Sequence, residues 1–147
     1  MSGMQETEIL LAEDDPADAE LTLRSLRKHN LAERVHWVRN GADALDFLLC
    51  QGAYAGRDPS RTLKLALLDI KMPKIDGIEV LRRLKADART RATPVVMLTS
   101  SGEARDVVES YNLGVNSYVV KPVQFEAFME AVSRVGQYWM QLNRVPG

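Results

Sequence analysis

Four short apolar runs in this 147-residue chain end on a polar or charged residue, and those residue types belong to one kind of chemistry. Glu13 and Asp14 follow ILLA, Asp69 closes LALL, Thr99 closes VVML and Lys121 follows SYVV. Carboxylates gathered in one small pocket repel one another, and a hard divalent cation makes such an arrangement tolerable. Mg²⁺ fits best, because it takes oxygen ligands in a near-octahedral shell and keeps places for water and a phosphoryl oxygen. Asp14 and Asp69 supply the carboxylates. A carboxylate can attack phosphorus in line, and the charge spread over the phosphoryl oxygens then has to be met by a metal, an ammonium and hydroxyl or amide donors. Lys121 and Thr99 suit the last two roles.

Residues so far apart in sequence meet only if the strands they terminate share one edge. Five β-rich runs alternate with five helical patterns. The strands are Glu8 to Ala12, Val35 to Val38, Leu65 to Asp69, PVVMLT and SYVV. The first helix begins with Asp15 as cap and Pro16 in its first turn, repeats Ala19, Leu23 and Leu26 at helical spacing, and closes at His29 and Asn30. Asn40 caps the second, with Ala44, Leu45, Leu48 and Leu49 on its apolar face and Cys50 read as a small buried hydrophobe. Gly52, Gly56, Asp58, Pro59 and Ser60 mark residues 51–62 as an inserted surface loop. Helix three turns Val80, Leu81 and Leu84 inward and Arg82, Arg83 and Lys85 outward, after a turn built on Met72-Pro73 and Asp76-Gly77. Helix four runs from Ala104 to Leu113, packs through Val107, Val108 and Tyr111, and stops at Gly114. Helix five starts near Gln124 and carries a stripe from Phe125 through Phe128, Met129, Val132 and Val135 to Trp139 and Leu142, longer than one domain core needs. Strict β-α alternation with short connections predicts a three-layer α/β fold, a doubly wound parallel (βα)5 sheet, with ligands outside the carboxyl ends of the central strands.

The segments LLAEDD, LALLDIKMPKIDG, VVMLTS and SYVVKP, in that order, resemble the receiver domain of two-component response regulators, and the resemblance spans almost the whole chain. It implies a flavodoxin-like sheet of order 2-1-3-4-5 and a phosphoryl group accepted by Asp69. It also implies Mg²⁺ held by Glu13, Asp14, Asp69 and the backbone carbonyl of Lys71, catalytic help from Lys121 and Thr99, and a switch pair formed by Thr99 and Tyr118. A cis Lys121-Pro122 bond is a further expectation. Ser100 stands where many relatives have alanine, and the resemblance implies that Lys71 and Ser101 flank the route of the water that hydrolyses the acyl phosphate; both features would bear on rates. The opening EDDPADAELTLRSLRKHNL, the loop after the second helix and the ending YWMQLNRVP resemble a narrower group, the small stand-alone receivers that serve bacterial and cyanobacterial phytochrome kinases. A sensor histidine kinase, in that case a phytochrome, is the implied partner.

Length and composition agree with one folded domain, its core at about 7–136 and a helical extension at about 137–147. The chain is 46% hydrophobic and 27% charged, with a formal net charge of -1 and basic residues scattered over several helices, so direct DNA binding is not expected. No apolar run reaches membrane-spanning length and the first residues lack a signal-peptide pattern, which predicts no membrane association and a cytoplasmic location. His29 and His36 lack the helical setting of a phosphotransfer histidine. The last part of the helix-five stripe predicts a homodimer through the C-terminal helix and strand-five region. Two other readings compete with a switch that catalyses only its own phosphorylation and dephosphorylation. An aspartyl-phosphate phosphatase would carry D-x-D after strand one instead of EDD, and a phosphorylation-independent scaffold would have no need of the intact acid, threonine and lysine set.

Overall fold

In the computed structural model, residues 7–59 and 63–144 are described; the outermost termini and the part of the inserted loop containing Ser60 lie outside them. Five parallel strands, β1 (Ile9–Ala12), β2 (Val35–Val38), β3 (Leu65–Leu68), β4 (Val95–Thr99) and β5 (Ser117–Val120), line up in the order β2-β1-β3-β4-β5. Five helices connect or follow them: α1 (Pro16–Arg27), α2 (Gly41–Leu48), α3 (Gly77–Ala86), α4 (Ala104–Asn112) and α5 (Phe125–Gln137). The expected class and strand order are therefore observed.

Successive residues of a strand point to opposite faces, so β1, β3 and β4, apolar throughout, feed two cores at once. Leu10, Ala12, Ala66, Leu68, Val95 and Met97 pack against Ala44, Leu45 and Leu48 of α2 and Val80, Leu81 and Leu84 of α3. Ile9, Leu11, Leu65, Leu67, Val96 and Leu98 pack on the other face against Ala19 and Leu26 of α1 and Phe128 and Val132 of α5. α1 and α5 close on each other because Gly136 has no side chain; a Cβ there would lie 2.7 Å from a methyl of Leu26. Ser25 ties the same pair, its hydroxyl 2.6 Å from the Met129 carbonyl.

Two helices start on the expected caps, Asp15 and Asn40, and Asp76, expected as a turn residue, caps a third. Asp15 accepts from the amides of Ala17 and Asp18, Asn40 from that of Asp43, and Asp76 from that of Glu79. Gly114 ends α4 with φ 100°. Several side chains fall elsewhere than expected. Of the expected packing face of α4, Val107 is half-buried but Val108 and Tyr111 are exposed, and the buried residue of that helix is Ser110. Cys50 is not a buried hydrophobe: α2 has ended at Leu48, and Cys50 turns the chain with φ 54°, half-buried, its Sγ 3.2 Å from an Arg57 nitrogen. Lys85 does not face open water; its stem is half-buried and its ammonium donates to the carbonyls of Arg91 and Thr93. Beyond Gln137 a π-helical turn, Tyr138–Leu142, folds Trp139 back into the α1/α5 core, so the extension anchors the domain as well as extending it. The Lys121-Pro122 bond is trans, the isomer that X-Pro bonds prefer when nothing forces the alternative.

Candidate functional site

The ends of β1, β3, β4 and β5 bring the expected residues to one edge of the sheet. Glu13 continues β1 and is nearly inaccessible, while the neighbouring Asp14 is exposed. The Glu13 backbone is pinned to β2, its amide donating to the Val38 carbonyl at 3.0 Å and its own carbonyl accepting the Trp37 indole N–H at 2.8 Å. Asp69 follows β3 and is 6% exposed. One of its oxygens accepts from its neighbour's amide, Ile70 N–H, at 2.7 Å, leaving the other to face the pocket. Its carbonyl side is walled by Gly77, where a Cβ would lie 2.1 Å from the Asp69 oxygen, so the turn into α3 can close this tightly only on glycine. Gly41 does the same for the middle of the turn, since a Cβ there would meet the Ile75 carbonyl.

Lys121 sits across the pocket with its ammonium buried. Its Nζ is 2.6 Å from Glu13 Oε1, 2.9 Å from Asp18 Oδ2 and 3.0 Å from Asp69 Oδ2, so all three N–H donors have an anionic partner. Burial alone would lower its pKa, but the bonds to Glu13 and Asp18 and the charge of Asp69 outweigh it and hold the lysine protonated, above its ordinary range. Burial works the other way on Glu13 and, with Asp69 adding repulsion against the help of Lys121, pushes it up to about 7. The pocket is thus short of positive charge. Carboxylate oxygens of Glu13, Asp14 and Asp69 all lie within 4.8 Å of one another. Ligands on a Mg²⁺-sized octahedron stand roughly 3 Å apart when adjacent and about 4 Å when opposite, so the donor set fits a hard divalent cation. Lys71, whose carbonyl is the remaining expected ligand, is in the β3-α3 turn with an exposed side chain.

Thr99, fully buried, accepts the Ser101 amide on its Oγ1 at 3.2 Å, and its carbonyl accepts the Lys121 amide at 2.7 Å. Tyr118 on β5 is half-buried and donates its hydroxyl to the Ser101 carbonyl at 2.7 Å, so both residues of the expected switch pair hold the β4-α4 turn. Ser101 completes it with a 2.6 Å bond to Asp106. Asp15 caps α1 through its side chain, and its amide donates to Glu13 Oε2 at 3.2 Å. Asp18 was not anticipated: it reads as an ordinary acid in a first helical turn. The signal that points to it is directional, because a Cα–Cβ bond tilts toward the helix N-terminus and so aims such a residue at the strand ends.

Comparison with known proteins decides the family. The response regulator receiver domain matches residues 9–133. The chain belongs to the response regulator receiver family. Among its relatives, the probable methanogenesis regulatory protein FilR2 of Methanothrix harundinacea is 42% identical over 140 residues, 95% of this chain and 87% of that protein. The response regulator Rcp1 of Synechocystis is 35% identical, covering 94% of this chain and 92% of Rcp1, and its Mn²⁺-bound crystal structure superposes with a TM-score of 0.86. The phosphorylated cyanobacterial phytochrome response regulator RcpA is 32% identical, with a TM-score of 0.89 over 97% of this receiver and all of that chain. Small phytochrome response regulators are thus homologues of this receiver over nearly their full length. Among the described residues no helix is long and apolar enough to cross a membrane.

Proposed function

We propose that the protein is the phosphate-accepting switch of a two-component relay, with Asp69 taking a phosphoryl group from the phosphohistidine of a sensor histidine kinase. The observation that carries this is the meeting, in one pocket, of Asp69, a buried ammonium 3.0 Å from its oxygen and a carboxylate set fit for a divalent cation. An Asp69 oxygen attacks phosphorus as the bond to the imidazole nitrogen breaks, and the electron pair of that bond leaves with the imidazole. Glu13, Asp14, Asp69 and the Lys71 carbonyl would hold Mg²⁺, which supplies charge neutralisation for the transferring group. Lys121 meets a phosphoryl oxygen from the other side. Thr99 supplies a hydroxyl at the pocket and, with Tyr118, couples the pocket to the β4-α4 turn, so that the bond between Tyr118 and Ser101 is remade when Thr99 changes partner. The protein catalyses only its own phosphorylation and dephosphorylation.

The relationship to RcpA supports a phytochrome as the kinase, and a cytoplasmic location follows from an ATP-fed donor. The near-neutral charge argues against direct DNA binding. Exposed Val120, Val123, Phe125, Tyr138 and Leu142 along β5, α5 and the final turn support a homodimer through that region. A labelled, autophosphorylated phytochrome kinase should pass its phosphate to this receiver in Mg²⁺ and fail to do so in chelator. Transfer that ignores Mg²⁺, or its absence with every phytochrome kinase tried, would count against the assignment.

A further inference from the structure

Lys121 has three carboxylate partners, and they are not equivalent. Glu13 and Asp69 also belong to the oxygen cluster fit for a cation, whereas Asp18 does not. A cation drawing on Glu13 and Asp69 competes with the lysine for their oxygens, and Asp18 is the partner that stays free to hold it. Asp18 is itself well placed for this. It lies in the first turn of α1, its amide is bonded to the Asp15 cap at 3.3 Å and its carbonyl accepts the Thr22 hydroxyl at 2.9 Å, so its backbone is held on both sides. The Lys121 backbone is equally fixed, by the bond of its amide to Thr99. With both ends anchored, Asp18 keeps the ammonium one hydrogen-bond length from Asp69, where the oxygens of a transferred phosphoryl group arrive.

Resting on the phosphate-accepting reading of Asp69, we propose that Asp18 is a positioning residue that holds the Lys121 ammonium ready for the phosphoryl group while the cation occupies the other carboxylates. Preorganisation of this kind shows as tighter capture of a phosphoryl-like anion, and it has to vanish when the lysine it acts through is gone. The test is a double-mutant cycle on the full chain in saturating Mg²⁺, titrating beryllium fluoride as the phosphoryl analogue and following tryptophan fluorescence, with Trp37 bonded to Glu13. Asp18→Asn should weaken capture about fivefold, Asp18→Glu should recover part of it, and in a Lys121→Met background Asp18→Asn should change nothing further. Mg²⁺ affinity measured by calorimetry should fall less than capture does, since Asp18 is outside the ligand set and reaches the cation only through the lysine. Unchanged or tighter capture in Asp18→Asn, or an equal loss with and without Lys121, overturns the proposal. Loss of Mg²⁺ affinity as large as the loss of capture overturns it as well, by making Asp18 part of the metal site. Wild-type protein that captures no beryllium fluoride, or captures it equally with Asp69→Asn, defeats the underlying reading instead.

Discussion

Lys121 concentrates the energetics of the site in one side chain. Breaking a buried ion-paired group by removing one partner leaves uncompensated charge and costs about 3 kcal/mol or more. Lys121→Met should therefore lower the urea stability of metal-free protein at neutral pH by roughly that amount. With the ammonium gone, Glu13 titrates still higher in the folded state than in the unfolded chain. Wild-type Glu13 already sits at about 7, so the variant binds more protons than wild type only above that value, and the deficit should shrink as pH falls from about 9 to about 7 and level off below. Added Mg²⁺ should restore part of it at neutral pH. Unfolding curves that match wild type at pH 7.5 without metal would show that the three carboxylates do not depend on the lysine. The residues of this site were largely readable from sequence, since Glu13, Asp69, Thr99 and Lys121 are each a polar interruption at the end of an apolar strand. Asp18 was not, because a charged residue in a first helical turn has an ordinary explanation in the helix dipole, and only the folded geometry shows it reaching Lys121.

Strands and helices were legible for the same reason that they form: period-two and period-3.6 apolar patterns, with Asp15, Asn40 and Asp76 as caps. Periodicity identifies an apolar face without saying what covers it. Val108 and Tyr111 of α4 show this, since they lie on the stripe and face outward, whereas Trp139, near the end of a stripe longer than one core needs, is packed inside. The inserted loop had no pattern to read, yet its described part is held to β2 and α2 by a defined cluster. His36 stacks on Phe47 at 4.7 Å between centroids, its Nε2 is 3.0 Å from the Tyr54 hydroxyl, and the Arg57 guanidinium lies over Phe47 at 4.2 Å. Burial, with Arg57 nearby, lowers the pKa of His36 below its usual 6.5. A histidine held neutral by the fold contributes stability above its unfolded pKa and loses it as pH falls through the folded one. Amide exchange in residues 52–57 should accordingly speed up more than the rest of the domain on going from pH 7 to pH 5, after correction for intrinsic rates. His36→Gln should flatten that difference. A loop whose protection does not respond to pH would remove His36 from its support.

At the scale of the whole molecule, five parallel strands place the phosphoryl site at one end of the sheet, while the exposed apolar residues run along β5, α5 and the turn after it. Val123, just before α5, is fully exposed, and Leu142, in the final turn, is 73% exposed. Removing everything after Gln137 would also take Trp139 out of the core, so point changes give a cleaner test of association. Val123→Glu with Leu142→Glu should shift a dimer toward monomer in light scattering while leaving the thermal midpoint within about 3 °C, because surface changes of this kind seldom exceed ±0.5 kcal/mol in the monomer. A mass identical to wild type at every concentration would refute a dimer through this surface. The central claim concerns Asp69 and is met most directly by intact mass spectrometry after incubation with acetyl phosphate and Mg²⁺. Wild type should gain a single phosphoryl group and Asp69→Asn none; equal gain by both proteins, or none by wild type, would contradict it.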